Sequence, residues 1–189
     1  MKVLHYILGF PPHRSGGLTK YAIDLITSEK SMGHDVYAIW PGNFYYAESH
    51  VSTIEKDKQH DRAFIITNAL PVPLMYGVSD FRDFMSERII KGGDDFFQKL
   101  QPDVLHVHTL MGLPVQFLRL AKKHNVRIVY TTHDYFGLCL RVNFVDSSGV
   151  LCHRADGDRC PICCANSPGR LFLKIRNSKY IIPLKQILR

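Results

Sequence analysis

No apolar run in this sequence reaches the ~18 residues that a membrane-spanning helix needs. The amino terminus, MKVLHYILGFPPHRSGG, has a short apolar stretch interrupted by His5 and no small-residue cleavage site, which argues against a secretory leader. Internal repeats and low-complexity tracts are absent. The five cysteines are an odd number in a chain with no export signal, so a disulfide scaffold is disfavoured and a cytoplasmic setting is expected. Acidic residues are missing from residues 170–189, where Arg170, Lys174, Arg176, Lys179, Lys185 and Arg189 carry six of the seven excess positive charges. The rest of the chain is close to neutral, so no nucleic-acid partner is expected.

What is present suits a folded domain. Hydrophobic residues make up 46% of the 189 and charged residues 22%, enough apolar material for a sizeable core and too little charge for disorder. Lys2–Leu8 has the near-continuous apolar character of a strand covered on both faces. Leu18, Tyr21, Ala22, Leu25 and Ile26 then recur at helical spacing, and Gly33 suits the helix stop. Val36–Trp40 and Ala63–Thr67 read as strands, and the polar and aromatic stretch Pro41–Asp61 between them as a surface loop. Ser79 can cap a helix carrying Phe81, Phe84, Met85 and Ile89, with a break at Gly92-Gly93 before Phe96–Leu100. Val104–His108 and Arg127–Thr132 are further strands. The helix between them opens at Pro114, buries Val115, Leu118, Leu120 and Ala121, and ends at Asn125. This alternation predicts an α/β, Rossmann-like open parallel sheet with helices on both faces. From Cys139 to Gly169 the periodicity stops.

Ligands of such sheets bind beyond the carboxyl ends of the strands, and three polar clusters fall there. In His13-Arg14-Ser15-Gly16-Gly17, the glycines let a ligand approach the backbone, and the amides of the helix start suit a phosphate or carboxylate. A plain tight turn would use the same glycines. In His106-Val107-His108-Thr109, alternation puts both histidines on one face. His106 reads as a packed residue and His108, at the strand end, as the one able to reach a ligand. Thr131-Thr132-His133-Asp134 follows the last strand, where a histidine can donate to a hydroxyl or move a proton near neutral pH.

Other sites are missing. There is no G-x-G-x-x-G, and Trp40-Pro41-Gly42-Asn43 provides no acid for a ribose, which disfavours a dehydrogenase. No G-x-x-x-x-G-K-[ST] occurs, nor an acidic pair after the first strand. Asp156-Gly157-Asp158 lies among the cysteines rather than after a strand and reads as chance. Cys139, Cys152, Cys160 and Cys163, spaced C-x12-C-x7-C-x2-C, can be drawn around a tetrahedral zinc or left as reduced thiols or an adventitious disulfide. Leu171, Phe172, Ile175, Ile181, Ile182 and Leu184 interleave with the cations of the tail. They suit either a peripheral contact with an anionic membrane at its inner face or core residues without a partner. Pro183, which interrupts a continuous amphipathic helix, favours the second.

With these residues placed, PPHRSGGLTKYAIDLI, SMGHDV, QPDVLHVHTLMGLP and RIVYTTHDYFGLC resemble the N-terminal domain of a family-4 glycosyltransferase of the GT-B fold. The resemblance covers roughly residues 1–165, a Rossmann-like domain with a Cys-rich loop at 139–164, and leaves 166–189 as a basic apolar tail. It implies a retaining enzyme that moves a sugar from a nucleotide-sugar donor to a glycan or lipid-linked acceptor, with no required cofactor or divalent metal. It places Gly16 and Gly17 near the donor phosphates, His108 as the catalytic contact to the transferred sugar, and His133 and Asp134 on the acceptor side. The donor domain's E-x7-E pair is absent, so the chain is expected to be truncated, to lack its C-terminal donor-domain partner and to be inactive alone. A non-catalytic sugar- or nucleotide-binding module and a Cys-organised metal-binding interaction protein are the alternatives.

Overall fold

The computed structural model describes residues 1–42, 50–74, 77–79 and 87–176. At its centre is β1 (Lys2–Tyr6), whose alternate residues face opposite sides of one sheet. β2 (Asp35–Pro41) and β6 (Val104–Val107) pair with it in parallel on either side. With β3 (Val51–Lys56), β4 (Ala63–Thr67), β5 (Ile89–Lys91) and β7 (Arg127–Tyr130), the sheet runs β5-β3-β4-β2-β1-β6-β7.

Helices cover both faces. α1 (Gly17–Ser31) places Ala22 and Ile26, one turn apart, against Ile7, Val36 and Ala38. On the other face, α2 (Gly93–Leu100) and α3 (Val115–Lys123) bring Phe97, Leu100, Phe117, Leu120 and Ala121 onto Leu4, Tyr6, Leu105 and Val107. Gly93 is where α2 meets α3, since a Cβ there would lie 2.4 Å from Leu120 Cδ1. The expected α/β Rossmann-like sheet is therefore present.

Three local expectations change, the first being Val115, which is exposed rather than on the buried side of α3, where Phe117 lies instead. The stretch expected as a loop contains β3, which pairs antiparallel with β4, so the sheet is mixed rather than wholly parallel. Val-Ser-Thr-Ile-Glu-Lys carries little apolar patterning because the strand is only partly buried, with Ser52 its one fully buried residue. Ile89, assigned to a helix face, opens β5, held beside β3 in the register Val51↔Ile89. The helix expected after Ser79 falls on residues 80–86, outside the described residues. Beyond β7, the chain forms a bridge between Val145 and Leu151, then the short α4 (Arg159–Cys164) and α5 (Arg170–Arg176). In α5, Leu173 is buried, while Leu171, Phe172 and Ile175 are exposed. No helix among the described residues is long and apolar enough to cross a membrane.

Candidate functional site

Because β1, β6 and β7 run in parallel, their carboxyl ends deliver three loops to one edge of the sheet. The β1 loop ends at Gly16, whose φ of 119° suits glycine, and α1 begins at Gly17. No side chain caps that helix start, and no acid lies in its first turn. Both glycines are exposed, and nothing lies within 4 Å of where a Cβ would stand on either. One turn into α1, the Tyr21 ring packs 4.7 Å from that of His133 and 5.9 Å from that of His108. The helix start, His108 and His133 are thus neighbours.

His108 follows β6 directly, but its side chain is buried, covered by Tyr21 and by His133, whose ring lies 5.7 Å away. Burial pushes its pKa down to about 3, helped by the neighbouring histidines His106, His5 and His133, so it stays neutral. His106, expected to be packed, is half-buried and shares a 2.8 Å hydrogen bond with the Thr131 hydroxyl. His133 is exposed, its pKa lowered by desolvation against the opposing pull of Asp134. Asp134 is engaged locally. Its Oδ2 accepts from the Thr109 hydroxyl at 3.0 Å and its Oδ1 from the Phe136 amide at 2.8 Å, which ties the loop after β6 to the loop after β7.

A further residue, His5, belongs to this site. It lies on β1 in register with His106, faces α1 and is fully buried. Its Nδ1 is 3.0 Å from His108 Nε2, and its Nε2 is 2.7 Å from Glu29 Oε2 on α1. Desolvation lowers its pKa, while the hydrogen bond and the charge of Glu29 oppose that shift. A polar residue inside an otherwise apolar central strand was the available signal. Its meaning depends on which strand lies alongside.

Among the described residues, His5, His106 and His108 alone bring three metal-capable atoms within 4.8 Å of one another. The His5 and His108 nitrogens already face each other in a hydrogen bond, between rings whose planes are 21° from parallel. Cys139, Cys152, Cys160 and Cys163 share the wall of one cavity of about 590 Å³, and all five cysteines are free thiols. The four do not converge as the three histidines do. The Cys160 sulfur accepts from the Asp156 amide at 3.3 Å.

A mostly parallel sheet with helices on both faces, which gathers an open helix start and a histidine cluster at its carboxyl edge, is a Rossmann-like α/β domain. The family model for Glycosyltransferase Family 4 matches residues 15–156, and the chain belongs to that family. No curated protein matches it.

Proposed function

We propose that this domain forms one wall of the cleft of a retaining glycosyltransferase, which passes a sugar from a nucleotide-sugar donor to a glycan or lipid-linked acceptor. The supporting observation is the meeting of α1's first turn with His108 and His133, through Tyr21, at the carboxyl edge of the sheet. Amides at Gly16 and Gly17 suit the oxygens of a diphosphate. In this reading His108, buried beneath Tyr21 and His133, meets the transferred sugar once that cover opens, and the exposed His133 faces the acceptor. A neutral imidazole cannot neutralise a departing diphosphate, so the chemistry here is positioning rather than charge compensation.

The described strands form a single sheet, and in this reading that sheet supplies one side of the cleft. The reading therefore assigns the donor's nucleotide to a second domain, and this chain alone is expected to bind ligand without turnover. The test is to incubate the 189-residue protein with a panel of nucleotide sugars and with sugar and polyprenyl acceptors. Following binding through the ring signals of His108 and His133 and transfer through product should reveal binding alone. Absence of any response at either histidine would overturn the reading, and product formed by this chain alone would overturn the need for a second domain.

A further inference from the structure

Glu29, His5 and His108 form a line of hydrogen bonds running from α1 through β1 to the end of β6. Glu29 Oε2 lies 2.7 Å from His5 Nε2, and His5 Nδ1 lies 3.0 Å from His108 Nε2. The direction of each bond follows from what the groups can donate. An ionised carboxylate only accepts, so His5 Nε2 must carry the hydrogen. A neutral imidazole has one N–H, which leaves His5 Nδ1 bare, and that nitrogen accepts from His108 Nε2–H. The remaining nitrogen of His108, Nδ1, is therefore bare too. It is buried and has no hydrogen-bond partner.

We infer that Glu29 and His5 are positioning residues that set the tautomer of His108, so that its Nδ1 offers a lone pair to a ligand hydroxyl. The ligand group this atom accepts from must be a hydrogen-bond donor. A sugar hydroxyl fits, whereas a phosphate or carboxylate oxygen would set two acceptors against each other. The sugar as occupant rests on the proposed function; the tautomer does not. The surrounding groups leave the line intact. His106, whose ring is 4.2 Å from that of His108, has its Nε2 engaged with Thr131, and Tyr21 and His133 cover the His108 ring. His5 lies outside the residues matched by the family model, so its part comes from the strand pairing alone.

The experiment is nitrogen-15 NMR of the histidine rings in the 189-residue protein at neutral pH, which separates protonated from bare ring nitrogens. The expected result is a proton on Nε2 of both His5 and His108 and a bare Nδ1 on each. Glu29→Leu removes the acceptor, so His5 Nε2 no longer has to hold the proton and the fixed pattern should give way to a mixture of tautomers at both rings. A proton on His108 Nδ1 in the wild type, or a Glu29→Leu protein with unchanged ring protonation, would overturn the inference. Free hexose and inorganic phosphate are then titrated separately. Hexose should move the His108 Nδ1 signal and phosphate should not, and the opposite pattern would overturn the hydroxyl assignment. The expected tautomers with no response to any sugar or nucleotide sugar would support the Glu29–His5 role and defeat the sugar-transfer reading instead.

Discussion

The Tyr21 ring stands edge-on to the His133 ring at a centroid distance of 4.7 Å, and between them they roof the buried His108. One side comes from the first turns of α1 and the other from the loop after β7. Both covering side chains lie on the solvent side of His108, Tyr21 being 43% exposed.

Removing the roof should change the histidine beneath it. In Tyr21→Ala, water reaches His108, and desolvation is the largest cause of its depressed pKa. The value should rise from about 3 towards the ordinary ~6.5 of an exposed imidazole. A titration of the His108 ring signals measures this. An unchanged value would place the desolvation in the sheet rather than in the roof.

Stability should fall with acidification in a window that the histidines define. His108 titrates at about 3 when folded and near ~6.5 when unfolded. Between those values the unfolded chain holds a proton that the folded chain does not, so each step down in pH favours unfolding. Above the unfolded value this contribution is fully present and flat. The limiting slope is about 1.4 kcal/mol per pH unit for the buried His108, and burial lowers the pKa of His5 and His106 in the same direction. Urea unfolding of the wild type and His108→Asn between pH 7 and pH 4 should show a shallower dependence in the variant. Equal slopes would remove His108 from the account.

The two glycines at the helix start should separate. Gly17 occupies a helical position with open space around a Cβ, so Gly17→Ala should leave α1 as stable or raise stability by up to ~1 kcal/mol. If a ligand's phosphate approaches the backbone there, the same change should weaken nucleotide-sugar binding. Gly16→Ala meets a φ of 119° and should cost ~1–3 kcal/mol. Unfolding and binding measured on both variants distinguish a ligand cradle from a tight turn, because a turn alone predicts intact binding in Gly17→Ala.

In an assembled enzyme with its donor domain, His108→Ala should lower transfer by at least ~10²-fold, the scale of a well-placed polar catalytic group. The comparison is kcat/KM for one donor and acceptor pair. Wild-type kinetics in the variant would leave His108 a packing residue.

Much of the architecture was legible because periodicity reports burial directly. Lys2–Tyr6, Asp35–Pro41, Val104–Val107 and Arg127–Tyr130 lie where continuous apolar runs put them, and Ala22 and Ile26 face the sheet as their spacing requires. Val51–Lys56 escaped because a partly buried strand can be built from Ser, Thr, Glu and Lys once β4 supplies its hydrogen bonds. The cysteines illustrate a different limit. Their spacing constrains only chain length, and it is the folded loop that puts Cys139, Cys152, Cys160 and Cys163 in the wall of one cavity.

Neighbouring residues were enough to show that strands and helices alternate, which helix faces are apolar, that two glycines open the first helix and that histidines lie at strand ends. These are properties of neighbouring residues, governed by the 3.6- and 2-residue periods of the backbone. Only the tertiary structure decided that β1 lies beside β6, which puts His5 against His108 across about a hundred residues of chain and brings Glu29 down from α1 behind it. Strand order depends on how the apolar faces of all the elements pack together. Ring tautomers and depressed pKa values depend in turn on the buried neighbours that this order supplies.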